Sequence, residues 1–202
     1  RDFTKARNYT QRLDTQVNLP KMEEGGLDAA FFIVYVGQGS LTQEGYDRAY
    51  AQAVEKFDAI HRFTKEIAPK RMGLALTAAD VRTIAASGRK VALIGIENAY
   101  SLGTNLARVK EFHDRGGRYM SLAHNGHSQF ADSNTGERDG KFMHNGLNDL
   151  GRQVIDANVD VLGADDVWHE KVDPMARFAE RAPSNASIVY ESRYVWGDDQ
   201  WM

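Results

Sequence analysis

Two apolar runs in this sequence end on side chains able to do chemistry. KVALIGI, Lys90 to Ile96, is followed directly by Glu97, and YMSLA is followed directly by His124. In a parallel α/β fold, loops gather at the C-terminal ends of strands and helix N-termini point there, so both are candidate site positions. A carboxylate at the end of a buried strand is poorly solvated and needs a cation or donors, which makes metal ligation one reading of Glu97. The other reading, favoured by spacing alone, is a strand-end Glu that caps a neighbouring helix or pairs with an arginine. His124, Asn125 and His127 form a compact polar group in AHNGHS. A tight loop would bring both imidazoles to one ion. The alternative, which spacing favours, has His124 hydrogen-bonded alone at the strand end and His127 on the solvent side. His61 and His113 fall at polar helix positions and read as solvated; His144 and His169 receive no role. With no cysteine in the chain, thiolate zinc sites, Cys nucleophiles and disulfides are excluded, and any metal must be held by His, Asp and Glu. GxSxG, P-loop and GxGxxG motifs are absent, and NAS at Asn185 to Ser187 is a glycosylation triplet that arises often by chance.

The elements that must position these residues alternate. Leu27 to Val36 (LDAAFFIVYV) is a continuous apolar run that predicts a strand buried on both faces. A helical period follows from Thr42 to Ala68, closed by Pro69. Gly73 to Leu76 reads as a short strand, and Thr77 with Asp80 caps a helix that ends at Gly88. Lys90 to Ile96 is a second buried strand, Thr104 to Arg115 an amphipathic helix, and Arg118 to Leu122 the strand that delivers His124. A long polar loop occupies Gly126 to Gly146, and Leu147 to Ala157 resumes a helix. Arg1 to Met22 reads as an extended loop ending at Leu19-Pro20. This order implies βαβ units and a parallel sheet. After Asn158 the periodicity gives way to short aromatic-rich pieces that hold Trp168, Trp196 and Trp201, so two parts are expected, residues 1–157 and an irregular tail, 158–202.

The chain has 202 residues and a formal charge of -3, which argues neither for a nucleic-acid binder nor for an anionic-membrane binder, and no nucleic-acid partner is expected. Hydrophobic residues at 42% and charged residues at 26% exclude wholesale disorder. The length lies below the roughly 250 residues of an ordinary (β/α)₈ barrel. No apolar stretch approaches the roughly 20 residues of a membrane-spanning helix, no signal-peptide core follows the start, and a cytoplasmic location is expected. The first residue is Arg1, and the chain opens mid-pattern, which reads as a processed or partial product.

From Asn8 to Ile155 the sequence resembles the membrane dipeptidase (renal dipeptidase) family of zinc metallopeptidases. YTQRLDTQVNLPKMEEGGLDAAFFIVYVGQ, VALIGIENAYSLG, RGGRYMSLAHNGHSQFADSNTG and HNGLNDLGRQVID carry the resemblance in one collinear register. It implies a (β/α)₈ barrel, here a partial one, with two zinc ions that hydrolyse the peptide bond of dipeptides. The strand-end Glu of the family's IGIE-type motif bridges the metals and matches Glu97. The His of its RYMxLxH motif contacts substrate near the scissile bond and matches His124. The family's HxD motif and the two later His-bearing metal motifs have no counterpart in this chain, so catalysis by the chain as it stands is not expected. A partial barrel also leaves open strand edges and an apolar face, and self-association or a partner is expected. Val167 to Met202 resembles the segment of bacterial glycogen branching enzymes that joins the carbohydrate-binding β-sandwich to the catalytic barrel. The function readings are a zinc dipeptidase or its inactive remnant, a non-catalytic carbohydrate-associated or interaction module, and a chimera without evolved function.

Overall fold

The computed structural model describes residues 8–135 and 140–162; of the tail singled out above, residues 163–202 lie outside them. The first element is a helix, α1 (Leu19–Gly25), where an extended loop was expected. The correction has a local cause. Asn18 is an N-cap whose side chain accepts the Lys21 N–H, and Pro20 stands in the first turn, where its missing N–H leaves no bond unmade and its φ is already helical.

The remaining elements follow the expected alternation. β1 (Ala29–Tyr35) leads to α2 (Gln43–Arg62), whose N-cap is Thr42. The helix continues as a π-turn (Phe63–Ile67), closed by the Ala68 N–H to Phe63 carbonyl bond at 2.9 Å. β2 (Met72–Leu74) is followed by α3 (Ala78–Ala86), and Thr77 and Asp80 form a complete capping box. β3 (Lys90–Glu97) passes through a 3₁₀ turn (Ala99–Leu102) to α4 (Ala107–Asp114) and β4 (Gly117–Met120). α4 starts later than the sequence suggests because Gly103 turns at φ 59° and the Asn105 side chain takes the Ala107 N–H. α5 (Asp149–Leu162) runs past Asn158 to the last described residue.

All pairings in the four-stranded sheet are parallel, and β3 is its centre. β1 lies along one edge of β3 in full register, Ala29 opposite Val91 through Tyr35 opposite Glu97. β2 and β4 share the other edge, since Lys90 N–H bonds the Arg71 carbonyl and Ser121 N–H bonds the Ile96 carbonyl, whereas Val91 N–H turns to Asp28 on the β1 side. Alternation along β3 then sorts its side chains. Ile94 and Ile96 enter the helix-side core with Phe57, Phe112 and Val154. Gly95 and Glu97 face the other way, beside Ile33 and Tyr119, and a Cβ on Gly95 would lie 2.9 Å from side-chain carbons of both. On that second face α3 covers only the N-terminal end, with Ile84 beside Val91, while Phe31 and Ile33 stay 48% and 40% exposed.

The helix-side core centres on Phe112, which is fully buried, 5.1 Å from Phe57 and stacked on Tyr50 at 6.1 Å between centroids. Phe112→Ala therefore lowers the unfolding free energy by about 3–5 kcal/mol in urea denaturation. Arg48→Ala, which removes an exposed 2.7 Å pair with Glu44, changes it by less than about 0.5 kcal/mol in the same measurement.

Candidate functional site

Glu97, the last residue of β3, and His124, beyond the end of β4, meet at the C-terminal edge of the sheet. Glu97 Oε1 lies 3.2 Å from His124 Nδ1, with both side chains about one-third exposed at 35% and 37%. At this separation a proton on Nδ1 makes one hydrogen bond to the carboxylate. Glu97 thus pairs with an imidazole, and among the described residues neither the helix cap nor the arginine pair that spacing favours is formed. The Tyr35 ring, opposite Glu97 in the register, meets the His124 ring edge to face at 5.3 Å. Behind Tyr35, Lys56 donates to its backbone carbonyl and sits 5.7 Å from its ring centroid; burial holds the Lys56 ammonium below the usual lysine range.

The junction between strand and loop is locked by a residue that the sequence reading passed over. Asn98 follows Glu97 with φ 74° and ψ 97°, a conformation that non-glycine residues rarely adopt, and is fully buried. Its Nδ2 donates to the Val36 carbonyl at 3.0 Å and to Gln38 Oε1 at 3.3 Å. Its N–H donates to Ser121 Oγ at 3.0 Å, and its Oδ1 accepts the Tyr100 N–H. The sequence signal was present, because Asn tolerates positive φ better than other side chains and here follows a strand directly.

His127 does not join His124, nor does it face solvent. Its Nδ1 lies 2.9 Å from Asp132 Oδ1, and its side chain is 17% exposed. Asp132 is buried and collects the backbone N–H groups of Met143, His144 and Gly146 at 2.7 to 3.2 Å. Burial alone would raise the Asp132 pKa, but these three N–H donors and His127 outweigh it and hold the carboxyl below the usual carboxylate range. His144, given no role above, bonds Ser128 O through Nε2 at 2.8 Å and Asn148 Nδ2 through Nδ1 at 3.3 Å. The segment read as a polar loop is in part core, with Ser128, Gln129, Phe130 and Ala131 buried. His61 and His113, read as solvated, are half-buried, and His61 Nε2 bridges to the Arg115 carbonyl at 2.8 Å.

Glu97 and His124 suit zinc in donor chemistry but not in number. Among the described residues no group of three His, Asp or Glu is placed to hold a metal, and a zinc site needs about three protein ligands beside an open position. The two side chains alone do not fit a pair of zinc ions.

The Asp132 anchor makes the stability of this region depend on pH. Its folded pKa is depressed, so its contribution to stability is fully present above the unfolded value of about 3.9 and is lost as pH falls through the folded value. Asp132→Asn, which turns an amide N–H toward backbone donors, destabilises the chain at neutral pH by about 1.5–3 kcal/mol. The deficit shrinks below about pH 4, and thermal melts of both proteins across this range check it.

Comparison with known proteins identifies the relatives. A family model described as membrane dipeptidase, peptidase family M19, matches residues 1–162. The dipeptidase tcpJ of Claviceps purpurea is 30% identical over 150 residues, covering 72% of this chain and 34% of that protein. A probable dipeptidase from Pseudomonas aeruginosa, PvdM, superposes with TM-score 0.62 at 23% identity, over 72% of this chain and 38% of its own. A metallo peptidase from Rhodobacter sphaeroides, solved with a phosphinate mimic of L-Ala-D-Ala, superposes with TM-score 0.61 at 19% identity, over 79% of this chain and 53% of its own. These likenesses identify the sheet and its helices as part of a (β/α)₈-type fold. The 1,4-alpha-glucan branching enzyme of Cutibacterium acnes is 69% identical over 35 residues, 17% of this chain and 5% of that enzyme. The chain spans about a third of the length of the dipeptidase tcpJ, 34%. Across residues 1–162 the chain belongs to the membrane dipeptidase family, M19.

Proposed function

We propose that this chain supplies part of a zinc-dependent dipeptidase site, with Glu97 as a metal-binding carboxylate and His124 turned to the substrate, and that by itself it does not turn dipeptides over. The observation that carries the reading is the 3.2 Å approach of Glu97 and His124 at the C-terminal edge of a parallel sheet, the edge on which such folds collect their chemistry. Membership of a dipeptidase family supports a dipeptide as the substrate class. Zinc bound there would serve as a Lewis acid on the scissile carbonyl.

The part played by this chain's own residues follows from their contacts. Glu97 holds the His124 ring through Nδ1, and Tyr35 braces the ring edge to face. With the proton on Nδ1, neutral His124 presents the Nε2 lone pair, which accepts a proton. It donates to a developing oxyanion only as the doubly protonated ring. The inactivity is read from donor number, since one carboxylate and one imidazole, all that the described residues bring together here, leave zinc short of its ligands.

Equilibrium dialysis with zinc and a dipeptide hydrolysis assay test both halves. Weak zinc uptake that falls more than about tenfold in Glu97→Gln is expected, with hydrolysis at background. Zinc uptake indifferent to Glu97→Gln sinks the ligand assignment, and turnover abolished by that substitution shows a complete site and overturns the inactivity.

A further inference from the structure

We propose that Asn98 and Ser121 are the positioning residues of this site, a clamp across the ends of β1, β3 and β4 that sets the separation of Glu97 and His124. The proposal rests on the reading above for what Glu97 does, and on geometry alone for how Glu97 is held.

The clamp begins where β3 stops. At an ordinary extended φ after Glu97 the chain would run on in the strand direction, whereas φ 74° at Asn98 turns it into the 3₁₀ turn. Such a conformation persists only where its surroundings over-determine it, and they do. The Asn98 side chain bonds the Val36 carbonyl beyond the end of β1, and its N–H bonds Ser121 Oγ beyond the end of β4. Ser121 grips from the other side: its N–H bonds the Ile96 carbonyl at 3.0 Å, and its carbonyl accepts the Ala99 N–H at 2.7 Å. The backbone of Ser121 therefore straddles Glu97 and Asn98 while its hydroxyl accepts the Asn98 N–H. The same hydroxyl reaches the carbonyl of Ala123, the residue before His124, at 3.4 Å. Glu97 is thus one residue from one jaw of the clamp, and His124 is three residues from the other. Neither Asn98 nor Ser121 approaches the open face itself, being 0% and 7% exposed, so both act through the pair that they hold.

A purely structural role predicts that loss of the clamp loosens the fold at large; the positioning role predicts that it frees the Glu97–His124 pair first. Ring-nitrogen NMR shifts of the metal-free chain separate the two, because they show which nitrogen of each imidazole carries the proton. His144, held by Ser128 and Asn148 in a separate network, serves as the internal control for folding. In the unaltered chain His124 reads as Nδ1–H, and Glu97→Gln removes that preference. Ser121→Ala and Asn98→Gly, the second chosen because glycine keeps the positive φ, are expected to lose the Nδ1–H preference while the His144 shifts stay in place. Ser121→Thr, which returns the hydroxyl, restores it. Persistence of the Nδ1–H form in both variants overturns the proposal. Simultaneous loss of the His144 signature overturns it too, since the two residues would then hold the fold and not the pair. A parallel zinc titration is expected to show affinity about tenfold weaker in Ser121→Ala and recovered in Ser121→Thr. If the unaltered chain takes up no zinc, the metal reading of Glu97 fails while the NMR result still decides the clamp.

Discussion

Parallel pairing on both edges of β3 is the constraint from which the rest of the structure follows. Because β1, β3 and β4 run the same way, their last residues reach one edge together, and the register places Tyr35 opposite Glu97 there. The period of two along β3 then commits Ile94 and Ile96 to the helices and Gly95 and Glu97 to the opposite face. A slip of one residue would send Glu97 into the apolar helix layer and bring an isoleucine to the site, so burial of that layer fixes the chemistry as firmly as it fixes the fold.

The two faces of the sheet have unequal fates. The helix-side face is filled by Phe57, Phe112, Ile94, Ile96 and Leu102, all close to fully buried. The opposite face is dry only near α3 and leaves Phe31 and Ile33 in contact with solvent. Gly95 sits in the middle of this face, and its missing side chain allows Phe31 and Tyr119 to come within 6.1 Å of each other across β3. Glu97 therefore stands at the rim of an aromatic surface, where a carboxylate has few competing donors and the imidazole of His124 becomes its natural partner.

Much of this was legible in the sequence, and the failures share a cause. β1, β3, α2 and the capping box of α3 announce themselves through runs, periods and caps confined to a few neighbouring residues. Glu97 and His124 were found because a polar residue after an apolar strand needs no partner to be noticed. α1 is hidden because Pro20 after a polar stretch reads as a stop, although Asn18 before it makes the same proline a start. The Asp132 anchor was invisible for a different reason: its partners Met143, His144 and Gly146 lie 11 to 14 residues away along an aperiodic segment. His127 was misplaced with it, since only the folded loop shows that Asp132 and not His124 is in reach. The clamp of Asn98 and Ser121 spans 23 residues and is likewise a property of the fold.

The pair at the sheet edge also carries a tension of its own. Glu97 Oε1 is turned to His124 Nδ1, yet each carboxylate oxygen has two lone pairs, so the contact with the ring leaves acceptor positions on both. A cation beside Glu97 would therefore not displace the imidazole for want of lone pairs; the two would compete for the same negative charge. Glu97 could thus hold the ring and take part in binding a cation at once. Among the described residues one carboxylate and one imidazole fall short of the roughly three protein donors that a zinc ion needs, so tight binding at this edge would depend on donors other than these two.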